Sequence, residues 1–63
     1  MMKIIELQEG QQITVTLDET NGACAFNVLT VEESGGHYRA SVQNDLYGIV
    51  WIDDNVGEIK TAT

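Results

Sequence analysis

Gln12-Ile13-Thr14-Val15-Thr16-Leu17 decides the fold class. Ile13, Val15 and Leu17 recur at every second position, with polar groups between them. That is the period of a strand with one face buried, and β-branched residues suit a pleated surface. His37-Tyr38-Arg39-Ala40-Ser41-Val42-Gln43 repeats the pattern and places Tyr38, Ala40 and Val42 on the inner side. Lys3 to Gln8 is a weaker version, with Ile5 and Leu7 inward. Ala23 to Val31 is β-rich, with Phe26 and Val28 on one side. Tyr47 to Ile52 is apolar on both faces, Ile49 and Trp51 against Val50 and Ile52, as in a central strand or one covered by a partner. Glu58 to Thr63 adds a short edge strand around Ile59.

The punctuation between these runs is turn chemistry. Glu9-Gly10 and Asn21-Gly22 suit tight hairpins, and Ser34-Gly35-Gly36 closes another. Asn44-Asp45 and Asp54-Asn55-Val56-Gly57 supply the remaining turns. No window of a dozen residues has a helical period, although Gln43 to Tyr47 has room for one helical turn. The expectation is an all-β antiparallel meander of five to six strands. A chain of this size encloses a core by curling into a small barrel or a strongly twisted sheet, SH3-like or OB-like in shape only. The expected core is Ile5, Leu7, Ile13, Val15, Leu17, Phe26, Val28, Tyr38, Val42, Ile49 and Trp51.

Sixty-three residues make a single domain, 1–63. Such a domain buries only about 60% of its unfolded surface, so its stability is marginal. Cys24 is the only cysteine, which excludes an intramolecular disulfide and a cysteine-rich zinc site. Reduced cysteine fits a cytoplasmic location. The longest apolar run, Ile49 to Ile52, is far short of a membrane span. The segment from Met1 to Ile5 lacks the apolar core of a signal peptide.

Charge is the strongest functional signal. Ten carboxylates face three basic side chains, a formal net charge of -7. Phosphates would be repelled, which argues against direct contact with nucleic acid or an anionic membrane and favours a basic protein surface. In a simple meander, alternate loops share a pole. Glu9, Glu32, Glu33, Asp53, Asp54 and Glu58 are then gathered at one end, with Asp18, Glu19 and Asp45 at the other. Same-face positions along a strand repeat at about 6.6–6.8 Å and strands lie about 4.8 Å apart. That density is comparable with nucleic-acid backbone, which carries one charge per roughly 3.4 Å of each strand. Solubility is the plainer reading, since loop acids keep small β proteins apart, but mixed signs would serve that end equally.

Other chemistry finds little footing. Cys24 and His37 have the elements of a nucleophile and base, without an orienting acid or a motif. Asp53-Asp54-Asn55-Val56-Gly57-Glu58 is oxygen-rich, but its spacing fails the calcium loop, which needs glycine at the sixth position. Paired carboxylates for glycoside hydrolysis need a cleft that this body is too small to form. No catalytic residue, metal ligand or cofactor is assigned. Tyr47, at a turn edge, is the candidate aromatic anchor for a partner.

The sequence therefore points to a non-enzymatic acidic inhibitor that occupies a basic, nucleic-acid-handling surface of a partner protein. In size, charge and compactness it resembles phage anti-CRISPR and anti-restriction proteins and nuclease immunity proteins, with no shared motif. The alternative is a small β interaction module acting by homodimerisation or strand addition.

Overall fold

A computed structural model describes residues 2–62. Five strands follow a short 3-10 turn: η1 (Ile4–Glu6), β1 (Gln12–Thr16), β2 (Ala23–Ser34), β3 (His37–Asn44), β4 (Gly48–Asp53) and β5 (Ile59–Thr61). All pairings are antiparallel, in the order β4-β3-β2-β1-β5. The all-β expectation holds. The expected barrel or strongly twisted sheet does not form. The sheet is open, and β4 and β5 are its two edges. Nor is it a simple meander, because β5 returns to pair with β1. Thr63, the last residue of the expected sixth segment, lies outside the described residues, as does Met1.

The reason for the open form begins with Lys3 to Gln8, expected as a strand. Its apolar residues can be read with a period of two (Ile5, Leu7) or three (Ile4, Leu7). The second reading holds. Residues three apart eclipse in a 3-10 turn, so Ile4 and Leu7 both enter the core while Ile5 stays exposed. The Lys3 amide donates to Glu6 Oε1 at 3.3 Å, and the Ile4 amide donates to Asp54 Oδ1 at 2.9 Å. η1 lies against β3 and adds two apolar side chains to the core, covering that closure of the sheet would otherwise provide.

β2 is twelve residues long and serves both halves of the sheet. Ala23 to Asn27 pair with β1, and Asn27 to Ser34 pair with β3. The register shifts between Val28 and Thr30, leaving Leu29 as the extra residue of a β-bulge. The β2–β3 hairpin closes on Gly35 and Gly36, both at positive φ (58° and 83°). A type I′ turn, whose twist matches that of the strands, requires that conformation at both positions. The β3–β4 turn uses three residues and then Gly48 at φ 71°, with the Tyr47 amide donating to Asn44 Oδ1 at 2.7 Å. Asn21-Gly22 forms no two-residue turn. Leu17 to Gly22 make a wider loop in which the Asn21 amide donates to Asp18 Oδ1 at 2.9 Å.

The core is Ile4, Leu7, Ile13, Val15, Phe26, Val28, Ala40, Val42, Ile52 and Ile59. Leu17 and Tyr38 pack against it half-buried. Ile49 and Trp51, expected inside, face out. In an antiparallel pair, directly opposed residues share a face. Ala40 opposes Ile52 and Val42 opposes Val50, so the inner side of β3 fixes the inner side of β4. Ser41 and Gln43, opposite Trp51 and Ile49, belong to the outer side.

This phase makes a direct prediction. Ile52→Ala should cost about 2–5 kcal/mol of stability, as core truncations do. Ile49→Ala should change stability by about 0.5 kcal/mol or less, as expected of an exposed position. Urea denaturation of the two variants tests this, and equal losses would contradict the assignment of faces.

Candidate functional site

The outer face of β2, β3 and β4 carries a continuous row of side chains. Glu32 opposes Arg39, and Arg39 opposes Asp53. The Arg39 guanidinium donates to Glu32 Oε1 through Nη2 at 3.1 Å and Nε at 3.3 Å. Its carbon lies 4.3 Å from the centroid of the Trp51 ring. An exposed ion pair contributes at most about 1 kcal/mol, and an exposed cation–π contact about 0.5–1 kcal/mol. Their joint effect is orientation. Glu32 holds Arg39, and Arg39 lies on the Trp51 indole. Beside them Thr30 Oγ1 and Ser41 Oγ share a hydrogen bond of 2.7 Å, and Ser41 is buried although it faces outward.

Trp51 is 51% exposed and Ile49 62%, and Leu46 in the preceding turn is 63% exposed. Among the described residues, three of the four exposed large apolar side chains thus lie within β4 and its turn; Ile5 is the fourth. Trp51, not Tyr47, is the exposed aromatic. Cross-strand parity from Ala40 and Val42 was the signal that could have found it. Tyr47 is half-buried against Phe26, ring centroids 5.7 Å apart. Its hydroxyl donates to Asp18 Oδ2 at 2.9 Å and accepts from Asn21 Nδ2 at 3.0 Å.

Of the six acids expected at one pole, four are brought together. Glu32 and Glu33 end β2, and Asp53 and Asp54 end β4, around His37 and Tyr38. Glu9 lies instead in the turn where Gly10 bonds to Val28, midway along β2. Glu58 precedes Ile59, which opposes Val15 near the other end of β2, and it pairs with Lys60 at 3.2 Å. The return of β5 to β1 separates Glu58, and the pairing of β1 with only the first half of β2 separates Glu9.

The gathered acids also bind their own turns. Glu33 Oε2 accepts from the Gly36 amide at 3.0 Å, and Asp53 Oδ1 from the Asn55 amide at 2.9 Å. Asp54 accepts from Ile4, and Glu32 from Arg39. Each bond uses one carboxylate oxygen as acceptor; among the described residues only Glu32 of the four is paired with a cation, and the other three bind neutral amides.

Cys24 is the second residue of β2, and His37 opposes Ser34 at its far end, ten residues along. At about 3.3 Å per residue the ten-residue separation is about 33 Å of strand, so nucleophile and base are not juxtaposed. The Cys24 thiol instead lies 3.7–3.8 Å from the carbonyls of Gly22 and Asn21. Among the described residues no group of three or more His, Cys, Asp or Glu side chains is arranged to hold a metal ion. No helix is long and apolar enough to cross a membrane. Comparison with protein-family models, curated proteins and solved structures finds no match.

At the end opposite the acidic hairpin, the Asn21 amide, the Tyr47 hydroxyl and the Asn21 side chain all donate to Asp18 and hold its pKa below the ordinary carboxylate value. For Tyr47, the bond from Asn21 favours the anion, but desolvation and the bond and charge of Asp18 together outweigh it and raise the pKa. A depressed carboxylate contributes stability in full above its unfolded pKa and loses it as pH falls through its folded pKa. Asp18→Asn should therefore lower Tm at neutral pH, and the gap from the native chain should close in acid. Tyr47→Phe should raise the Asp18 pKa, read by NMR titration of its carboxyl carbon. A pH-independent gap would refute the linkage.

Proposed function

We propose that this is a non-enzymatic, acidic binding protein that inhibits a nucleic-acid-handling partner by occupying its basic surface. The reading rests on one juxtaposition: Glu32, Glu33, Asp53 and Asp54 stand at one end of the sheet, and Glu32 and Asp53 share the face that exposes Trp51 and Ile49. Carboxylates supply long-range attraction to lysine and arginine, and the aromatic anchor supplies short-range contact. Glu32 and Asp53 are two strand spacings apart, about 9.6 Å, with Arg39 between them. The spacing lets Asp53, Asp54 and Glu33 meet separate cationic groups of a phosphate-binding channel.

Net charge of -7 favours this class of partner over nucleic acid or anionic lipid. A cytoplasmic location accords with a partner that handles nucleic acid and with a lone free cysteine. The mechanism is competition: carboxylates take the place of phosphates, and no bond is made or broken.

Salt and competitor decide the matter. A partner captured on the immobilised protein should be released steeply as salt rises and should be displaced by duplex DNA, because both compete for the same cations. Glu33→Lys combined with Asp53→Lys should slow association by about tenfold or more, with a smaller effect on dissociation. A partner retained unchanged at about 1 M salt, where the Debye length is about 3 Å, would defeat the electrostatic reading.

A further inference from the structure

β4 is an edge strand without the usual protection. Edges are commonly blunted by lysine, proline, a bulge or short length. The other edge, β5, is three residues long and carries Lys60. β4 has an unbroken register with β3 from Arg39↔Asp53 to Asn44↔Gly48, and five successive uncharged residues, Gly48-Ile49-Val50-Trp51-Ile52. Among the described residues, no hydrogen bond from outside the sheet reaches the backbone of these five. Their unpaired edge is therefore free to accept a ladder.

The charges around this edge select what can use it. Asp53 and Asp54 stand at one end and Asp45 just beyond the other. Arg39, the one base of the face, is already engaged by Glu32 and Trp51. A second copy fits poorly. Antiparallel self-pairing centred on Val50 matches residues whose numbers sum to 100, setting Asp53 against Tyr47 and Asp54 against Leu46. Asp45 of one copy then neighbours Asp54 of the other, and each copy brings a net charge of -7. A strand with an apolar or β-branched centre and basic ends meets no such conflict.

We infer that the free edge of β4 binds an extended basic segment of the partner by strand addition, with Ile49 and Trp51 flanking the added strand on the outer face. This rests on the proposed function and assigns its docking element. Main-chain hydrogen bonds supply affinity that is indifferent to sequence, and Trp51, already oriented by Arg39, supplies the anchor.

The test uses the full chain and a synthetic ten-residue peptide with alternating valine and threonine at its centre and two lysines at each end. In an NMR titration to about 1 mM peptide, the largest shifts should fall on amides 48–53, with slowed exchange at the outward amides of β4. The neutral double variant Ile49→Thr, Trp51→Thr keeps the net charge and should bind about tenfold more weakly, as should the native chain with a glutamate-ended peptide. Binding confined to Glu32, Glu33 and Asp53, unaffected by the double variant, overturns strand addition and leaves the charge reading standing. Equal binding of the two peptides at β4 overturns the basic partner and leaves the edge. Absence of any shift, or concentration-dependent dimerisation through β4 in sedimentation without peptide, overturns the inference.

Discussion

The pairing of Val28 with Val42, just before the bulge at Leu29, governs what every later strand presents. β2 must satisfy two neighbours, and its pairing with β1 and with β3 overlaps at Asn27. Beyond the bulge the register resumes at Thr30↔Ser41 and Val31↔Ala40. That places Val31 and Ala40 inside and Thr30 and Ser41 outside. Side chains alternate strictly along a strand, so a slip of one residue would exchange the two faces. The phase passes from β3 to β4 through Ala40↔Ile52 and Val42↔Val50. The exposure of Trp51 is thus carried from the Val28↔Val42 pairing, which the bulge leaves in place while it shifts only the far half of β2.

The same economy applies to charge. Excess carboxylate is ordinarily a cost to a compact state through self-repulsion. Here much of it is tied to the fold. Asp54 joins the end of β4 to η1, Asp18 pins the β1–β2 loop to Tyr47, and Glu33 and Asp53 close on amides of their own turns. Asp and Glu are useful in turns because their oxygens accept from backbone N–H groups that no strand partner satisfies. Accepting such a bond occupies one oxygen and leaves the second open to a cation. Local bonding and long-range attraction therefore do not compete for these side chains, and solubility alone leaves the excess of one sign unexplained.

What could be read from the sequence follows from how many physical signals agreed at each place. Ile13 and Val15 had period, β-branching and flanking turns in agreement, and Gly35-Gly36 supplied the residues that a two-residue hairpin turn demands. Ile4, Ile5 and Leu7 had two admissible periods, and the bond that ties the turn to the sheet, Ile4 to Asp54, spans fifty residues. Val50 and Trp51 were symmetric in hydropathy, so their sides depended on cross-strand register. Tyr47 was legible as a turn-edge aromatic, but its hydroxyl's acceptor, Asp18, is twenty-nine residues away. The gathering of acids was legible for neighbouring hairpins and failed for Glu9 and Glu58. Loop order alone could not show that β5 crosses to the far edge.

β4 carries the composition of a central strand in the position of an edge strand. A strand apolar on both faces belongs between two neighbours and beneath a covering layer. β4 has one neighbour, and its outer apolar side chains face solvent. A 63-residue domain has little stability to spare for such exposure. Neither turn chemistry nor core filling calls for Ile49 and Trp51 to be apolar, since Val50 and Ile52 alone meet the core. Under the proposed strand addition, a second molecule supplies what β4 lacks: a strand along its open side and a surface over its indole. The carboxylates at its ends then act as a filter on which molecules can supply them.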